Sequence, residues 1–162
     1  MVKHKPVFLD TSPLLLLLVG TYDREAIATF KRTRRYDANT YDVLIQFLAA
    51  RRAIVTPGVL AEVSNLAMEL KDGGFQKIVE MNLFSLRELG ETYVAKDVIL
   101  ASPVLARMGV TDVSILVAAK DGKGEILTDD YQLLLRSRGE GIDATHMMEL
   151  QSRAELFAGD HR

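Results

Sequence analysis

Apolar residues fall along this chain in short dense runs, and the length of each run separates strand from helix. Val7-Phe8-Leu9 and Ala53-Ile54-Val55 are unbroken apolar triplets, and Glu125-Ile126-Leu127-Thr128 is close to one. Runs this short, with no polar alternation, suit strands buried on both faces of a parallel sheet. Leu14–Val19 is different. It follows Thr11-Ser12-Pro13, a hydroxyl cap with proline in the first turn, and predicts a helix buried nearly all round, ended or bent by Gly20.

Further helices are predicted over Asp23–Arg35 and Asn39–Arg52, the second with Val43, Leu44, Phe47 and Leu48 on one face. Thr56-Pro57 opens another, whose broad apolar face ends at Asp72-Gly73-Gly74, and Phe75–Leu86 continues as a helix. Residues 91–108 predict a short strand or turn and then a helix closed by Gly109. Val110–Lys120 is a helix capped by Thr111 or Asp112, and Tyr131–Arg138 another. A turn at Gly139-Glu140-Gly141 leads to a last edge strand at Ile142-Asp143-Ala144. Strands alternating with helices predict an α/β fold, a three-layer α/β/α sandwich around a mostly parallel sheet of four to five strands. Neither a repeat nor a linker divides the chain, so residues 1–150 are expected to form one domain and 151–162 a C-terminal tail. A domain of this length buries roughly two-thirds of its unfolded-chain surface.

In such a sheet, ligands bind at the carboxyl ends of the strands, and acids collect there. Asp10 follows the first triplet, Asp129 and Asp130 follow Ile126-Leu127-Thr128, Glu62 lies in the first turns after Pro57, and Asp112 opens the helix after Gly109. Each has an ordinary reading, as helix cap or solvent-facing residue. As a set they form a carboxylate cluster that repels itself unless a cation neutralises it. Oxygen ligands without His or Cys suit a hard ion, Mg²⁺ or Mn²⁺, and such ions organise phosphodiester hydrolysis.

Three stretches, FLDTSPLLLLL, TPGVLAEVSNL and GVTDVSILVAA…ILTDD, resemble the PIN-domain nucleases, in particular the small toxin-type (VapC-like) members. The family pattern is a strand ending in Asp-Thr/Ser-Ser, a proline-led helix with an inward Glu, an Asp at the start of a small-residue helix, and a strand ending Thr-x-Asp. The resemblance implies that Asp10, Glu62, Asp112 and Asp130 are the catalytic acids that hold Mg²⁺ or Mn²⁺, with Asp129 a spare carboxylate able to take the place of Asp130. It implies that Thr11 or Ser12, and Thr128, orient those acids. It further implies an endoribonuclease acting on RNA, a homodimer, and a protein antitoxin as partner. The alternatives are a PIN-fold nuclease of RNA processing or of DNA, and a PIN-fold binding module with little catalysis. Many members carry another acid two residues past the Thr-x-Asp position, where this chain has Gln132; the second-metal side is expected to be weaker.

The run KRTRR, residues 31–35, beside Tyr36 and Tyr41, offers Arg32, Arg34 and Arg35 for phosphate contacts, or else a solvated helix end. Asn65, one turn beyond Glu62, is expected to face the site. His4, His146 and His161 lack metal-site spacing and read as structural or surface residues.

Composition narrows the classes. Net charge is −2, against a dedicated nucleic-acid coat protein but not against an enzyme touching a few phosphates. With no cysteine, disulfides and cysteine-ligated zinc are excluded, and a reducing cytoplasm is the expected location. An export signal would use Lys3 and Lys5 as its basic flank, but the apolar run after Pro13 is only six residues, below the usual 7–15. No membrane segment is expected. No Gly-rich phosphate loop is present either.

Overall fold

The computed structural model describes residues 4–159, apart from the side chains of residue 154 and residues 156–159. Five strands, β1 (Val7–Leu9), β2 (Ala53–Val55), β3 (Gly90–Glu91), β4 (Glu125–Thr128) and β5 (Ala144–His146), form one all-parallel sheet in the order β3-β2-β1-β4-β5. β1 pairs on both sides, with Val7 opposite Ala53 and Glu125, so all three of its side chains are buried. That central place is why the triplet carries no polar residue. Ten helices lie among the described residues: α1 (Thr11–Tyr22), α2 (Ala26–Thr29), α3 (Ala38–Ala49), α4 (Pro57–Ala67), α5 (Gly74–Glu88), α6 (Lys96–Leu100), α7 (Leu105–Met108), α8 (Val110–Asp121), α9 (Tyr131–Gly139) and α10 (Met147–Gly159). The arrangement is that of a three-layer α/β/α sandwich, with five strands at the upper end of the expected number. None of the described helices is long and apolar enough to cross a membrane.

α1 is enclosed by α3, α4 and α5, which explains its leucine run. Its Leu14, Leu15, Leu16, Leu18 and Val19 all join the core. Gly20 does not end it; the helix runs on to Tyr22. The glycine is there for space, because a Cβ at position 20 would overlap the Tyr41 ring. That ring is tied by its hydroxyl to Thr21 Oγ1 at 3.1 Å, and the Arg24 guanidinium sits 5.5 Å from its centroid. Gly20→Ala should therefore destabilise by about 1–3 kcal/mol through overpacking, overriding the helix-propensity gain of about 1 kcal/mol. Urea denaturation measures the sign, and a stability gain would show that Tyr41 swings aside freely.

Other elements depart from the pattern for local reasons. The helix expected over Asp23–Arg35 is a single turn, α2, followed by successive turns to Tyr36. Thr33, fully buried, donates its hydroxyl to the Ile27 carbonyl at 2.9 Å, a side-chain competitor for helical backbone bonding. The next helix starts and stops earlier than expected, with Asp37 and Thr40 capping it reciprocally. Residues 91–108 break into two short helices around Ser102-Pro103, as a proline inside a helix requires. Caps differ too: Asp10, not Thr11 or Ser12, caps α1, and Gly109 precedes α8 without any side-chain cap. The last strand lies two residues later than expected, because the Ile142 N–H is taken by the Ser137 carbonyl at 2.9 Å as α9 closes. The expected tail boundary at 150/151 falls inside α10, whose Leu150 is buried and whose Gln151 amide donates to Thr40 Oγ1 at 2.5 Å. Residues 160–162, with His161, and Lys3 lie outside the described residues.

Candidate active site

The sequence places acids at the carboxyl ends of β1 and β4, and adjacent pairing brings those ends side by side. Asp10, buried at 7% exposure, accepts the Thr11 N–H on Oδ1 at 2.7 Å and the Thr128 hydroxyl on Oδ2 at 2.6 Å. Thr128 in turn accepts the Asp130 N–H at 2.9 Å, so one hydroxyl at the end of β4 fixes both acids. Burial raises the Asp10 carboxyl above its ordinary range, the two hydrogen bonds oppose this, and the charges of Asp130 and Glu62 add to it.

Glu62 reaches in from the second turn of α4. It accepts the Thr11 hydroxyl at 2.8 Å and the Thr111 hydroxyl at 2.5 Å, so that one carboxylate joins α1, α4 and α8. Gly109, at φ 85°, turns the chain in the left-handed region that favours glycine, and Thr111 and Asp112 follow in the first turn of α8. Asp112 is half-buried, and its carboxyl is pushed up to about 7, first by burial and then by the charges of Asp10, Asp130 and Glu62. Asp130 caps α9, accepting the N–H groups of Gln132 at 2.6 Å and Leu133 at 3.2 Å. Its neighbour Asp129 is turned away from that cap, with Oδ2 2.8 Å from Arg35 Nη2 and Oδ1 3.7 Å from His146 Nε2.

These five carboxylates and Arg35 share one cavity of about 400 Å³. Its donor set is all oxygen and strongly negative, which in chemical terms fits a hard divalent cation. As arranged, Asp10, Glu62, Asp129 and Asp130 are each turned to a hydroxyl, amide or guanidinium, and among the described residues no three His, Asp or Glu side chains are gathered closely enough to hold a metal ion.

The remaining expected residues divide. Thr11 and Thr128 touch the acids directly. Ser12 does not; its hydroxyl accepts from Arg35 at 2.8 Å. Asn65 is exposed on α4 and does not line the cavity, and neither do Arg32 and Arg34. Arg32 and Lys31 are engaged with Glu69, at 2.6 and 2.8 Å. Thr111, read from sequence only as a cap, proves to be a Glu62 partner; its place beside Asp112 was the available signal. His146 is buried close to the site, for which its sequence context carried no signal.

No protein-family model matches the sequence, and no curated protein matches it. Among solved structures the chain is similar to a domain of a functionally unknown protein from Methanocaldococcus jannaschii DSM 2661. Identity is 16%, the match covers 88% of this chain and 90% of that one, and the TM-score is 0.46.

Proposed function

We propose that this chain is a metal-dependent endoribonuclease of PIN type, hydrolysing RNA phosphodiester bonds. The observation that carries the reading is the convergence of Asp10, Glu62, Asp112 and Asp130, from four separate segments, on one cavity at the carboxyl edge of the sheet. The resemblance of the same segments to PIN nucleases supports the choice of RNA. It also supports a toxin-type role in the cytoplasm, with a homodimer and a protein antitoxin.

Asp10, Glu62, Asp112 and Asp130 would hold Mg²⁺ or Mn²⁺, which when bound supplies an activated water and stabilises charge on the phosphoryl oxygens. The chain's own residues prepare this. Thr11 and Thr128 immobilise Asp10, the one buried acid of the four, in a single orientation. Thr11 and Thr111 anchor Glu62, whose long side chain would otherwise sample many rotamers. Asp112 holds a proton up to near neutral pH, because three neighbouring carboxylates and its own burial oppose its charge. A cation held beside Asp112 would relieve that opposition, and the carboxyl would then carry its charge without the proton.

One observation favours a second reading, a PIN-fold binding module with little catalysis: the carboxylates are not gathered in threes. Melting with and without Mn²⁺ separates the two. A site that binds Mn²⁺ is stabilised by about 3 kcal/mol at a hundredfold excess over Kd, or about 5–10 °C for a chain of this size. Cleavage is then measured on single-stranded RNA, tRNA and DNA. Metal-dependent cleavage of RNA supports the proposal, and cleavage of DNA alone would redirect it. Absence of both shift and cleavage would sink it.

A further inference from the structure

Five carboxylates around one cavity pose a problem for any polyanionic substrate. Among the described residues that line it, Arg35 is the one cation. Arg32 and Lys31, from the same run, are occupied by Glu69.

Arg35 is held, yet not used up. The turns that stand where residues 30–35 were expected to be helical bring its guanidinium over the Tyr36 ring, 5.1 Å from the centroid. Its contacts with Ser12 Oγ and Asp129 Oδ2, both at 2.8 Å, employ Nη2 alone. The side chain is 56% exposed, so the other N–H donors of the fork remain for a ligand, and a guanidinium fork matches phosphate oxygens.

Asp129 is built differently from the four acids. Its side chain is only 9% exposed. The buried His146 ring stacks on Tyr131 at 4.2 Å, and its Nδ1 accepts the Met148 N–H at 3.2 Å. In the neutral ring the proton therefore lies on Nε2, which faces Asp129 Oδ1. The buried Tyr36 hydroxyl is kept protonated by desolvation and by the Asp129 charge. Both carboxylate oxygens of Asp129 thus face cationic or N–H partners of the chain itself.

Resting on the nuclease reading above, we propose that Arg35 binds a phosphate of the RNA strand at the mouth of the acid cavity, and that Asp129 is a positioning residue for Arg35 and not a metal ligand. The pair divides the Asp129-Asp130 dipeptide between two tasks, phosphate capture through Arg35 and the acid set through Asp130.

The probe is a nuclease-resistant single-stranded RNA oligonucleotide (2′-O-methyl, phosphorothioate), bound to the full chain in Mn²⁺ and followed by fluorescence anisotropy over a range of salt. Arg35→Gln should weaken binding about tenfold and lower the slope of log affinity against log salt by about 0.7, one phosphate contact on a single strand. Arg35→Lys should keep the wild-type slope. Asp129→Asn should weaken binding two- to fivefold, add nothing in the Arg35→Gln background, and leave the Mn²⁺-induced rise in melting temperature intact. An unchanged salt slope in Arg35→Gln overturns the inference, as does loss of the Mn²⁺ shift in Asp129→Asn or absence of wild-type binding. Arg35-dependent binding by a wild-type protein that cleaves nothing would instead support the inference and refute the nuclease reading.

Discussion

Asp112→Asn is expected to make the metal-free protein more stable at pH 8 while abolishing its Mn²⁺-dependent RNA cleavage. The Asp112 carboxyl titrates near 7 in the fold, against an ordinary value of 3.8. Between those values the native state binds more protons than the unfolded chain, so stability falls as pH rises from about 4 to about 7 and is flat above. Three units correspond to about 4 kcal/mol at most, and partial exposure at the cavity mouth reduces this to about 1–3 kcal/mol. Asparagine keeps the shape and removes the charge. In EDTA at pH 8 the variant should melt about 3–10 °C above the wild type, and the difference should shrink towards pH 4. Added Mn²⁺ should reverse the order, raising the wild type and leaving the variant behind. Such crossing curves are the mark of a site whose strain serves ligand binding. A variant that melts no higher than wild type without metal, or that keeps the full Mn²⁺ shift, would mean that Asp112 does not stand among uncompensated charges.

That strain was partly legible in the sequence, because strand ends are encoded by where apolar runs stop. β1, β2 and β4 are read directly from their triplets, and Asp10, Asp129 and Asp130 follow from them. β3 was not legible as a defined strand. Gly90 and Glu91 carry no hydrophobic pattern and pair through backbone with Ile54 and Val55. The glycine suits the tight space, where a Cβ would come within 3.0 Å of the Ile54 side chain. Residues 30–35, expected as helix, are turns because buried hydroxyls such as Thr33 redirect the backbone, and burial cannot be read from a local pattern. The same turns decide which arginine reaches the acids. Arg35 meets Asp129 only because the chain turns there. The helical continuation of α10 past residue 150, where a tail was expected, has few apolar residues to announce it. Its anchor is tertiary, through buried Met147 and Leu150 and the Gln151 bond to Thr40.

Asp10→Asn and Thr128→Val test whether this scaffold serves catalysis, since they remove opposite halves of one hydrogen bond. Asparagine at position 10 keeps an oxygen for the Thr11 N–H. The Thr128 hydroxyl can rotate to accept from the new amide, so the fold should change by less than about 1.5 kcal/mol. The charge is lost, and with it the one buried carboxylate of the set. RNA cleavage should fall by about a thousandfold, equivalent to about 4 kcal/mol of transition-state stabilisation, and the Mn²⁺ thermal shift should shrink. Valine at 128 acts the other way round. It leaves all four carboxylates in place but strips Asp10 Oδ2 and the Asp130 N–H of their shared partner. Leaving the buried Asp10 oxygen unsatisfied costs about 1–3 kcal/mol, whereas losing a group that orients a metal ligand typically costs 10–100-fold in activity. Thr128→Val should therefore be the less stable protein and the better enzyme. If Asp10→Asn instead cleaves RNA at the wild-type rate with Mn²⁺, Asp10 serves only as the cap of α1, and the acid cavity is not where the chemistry occurs.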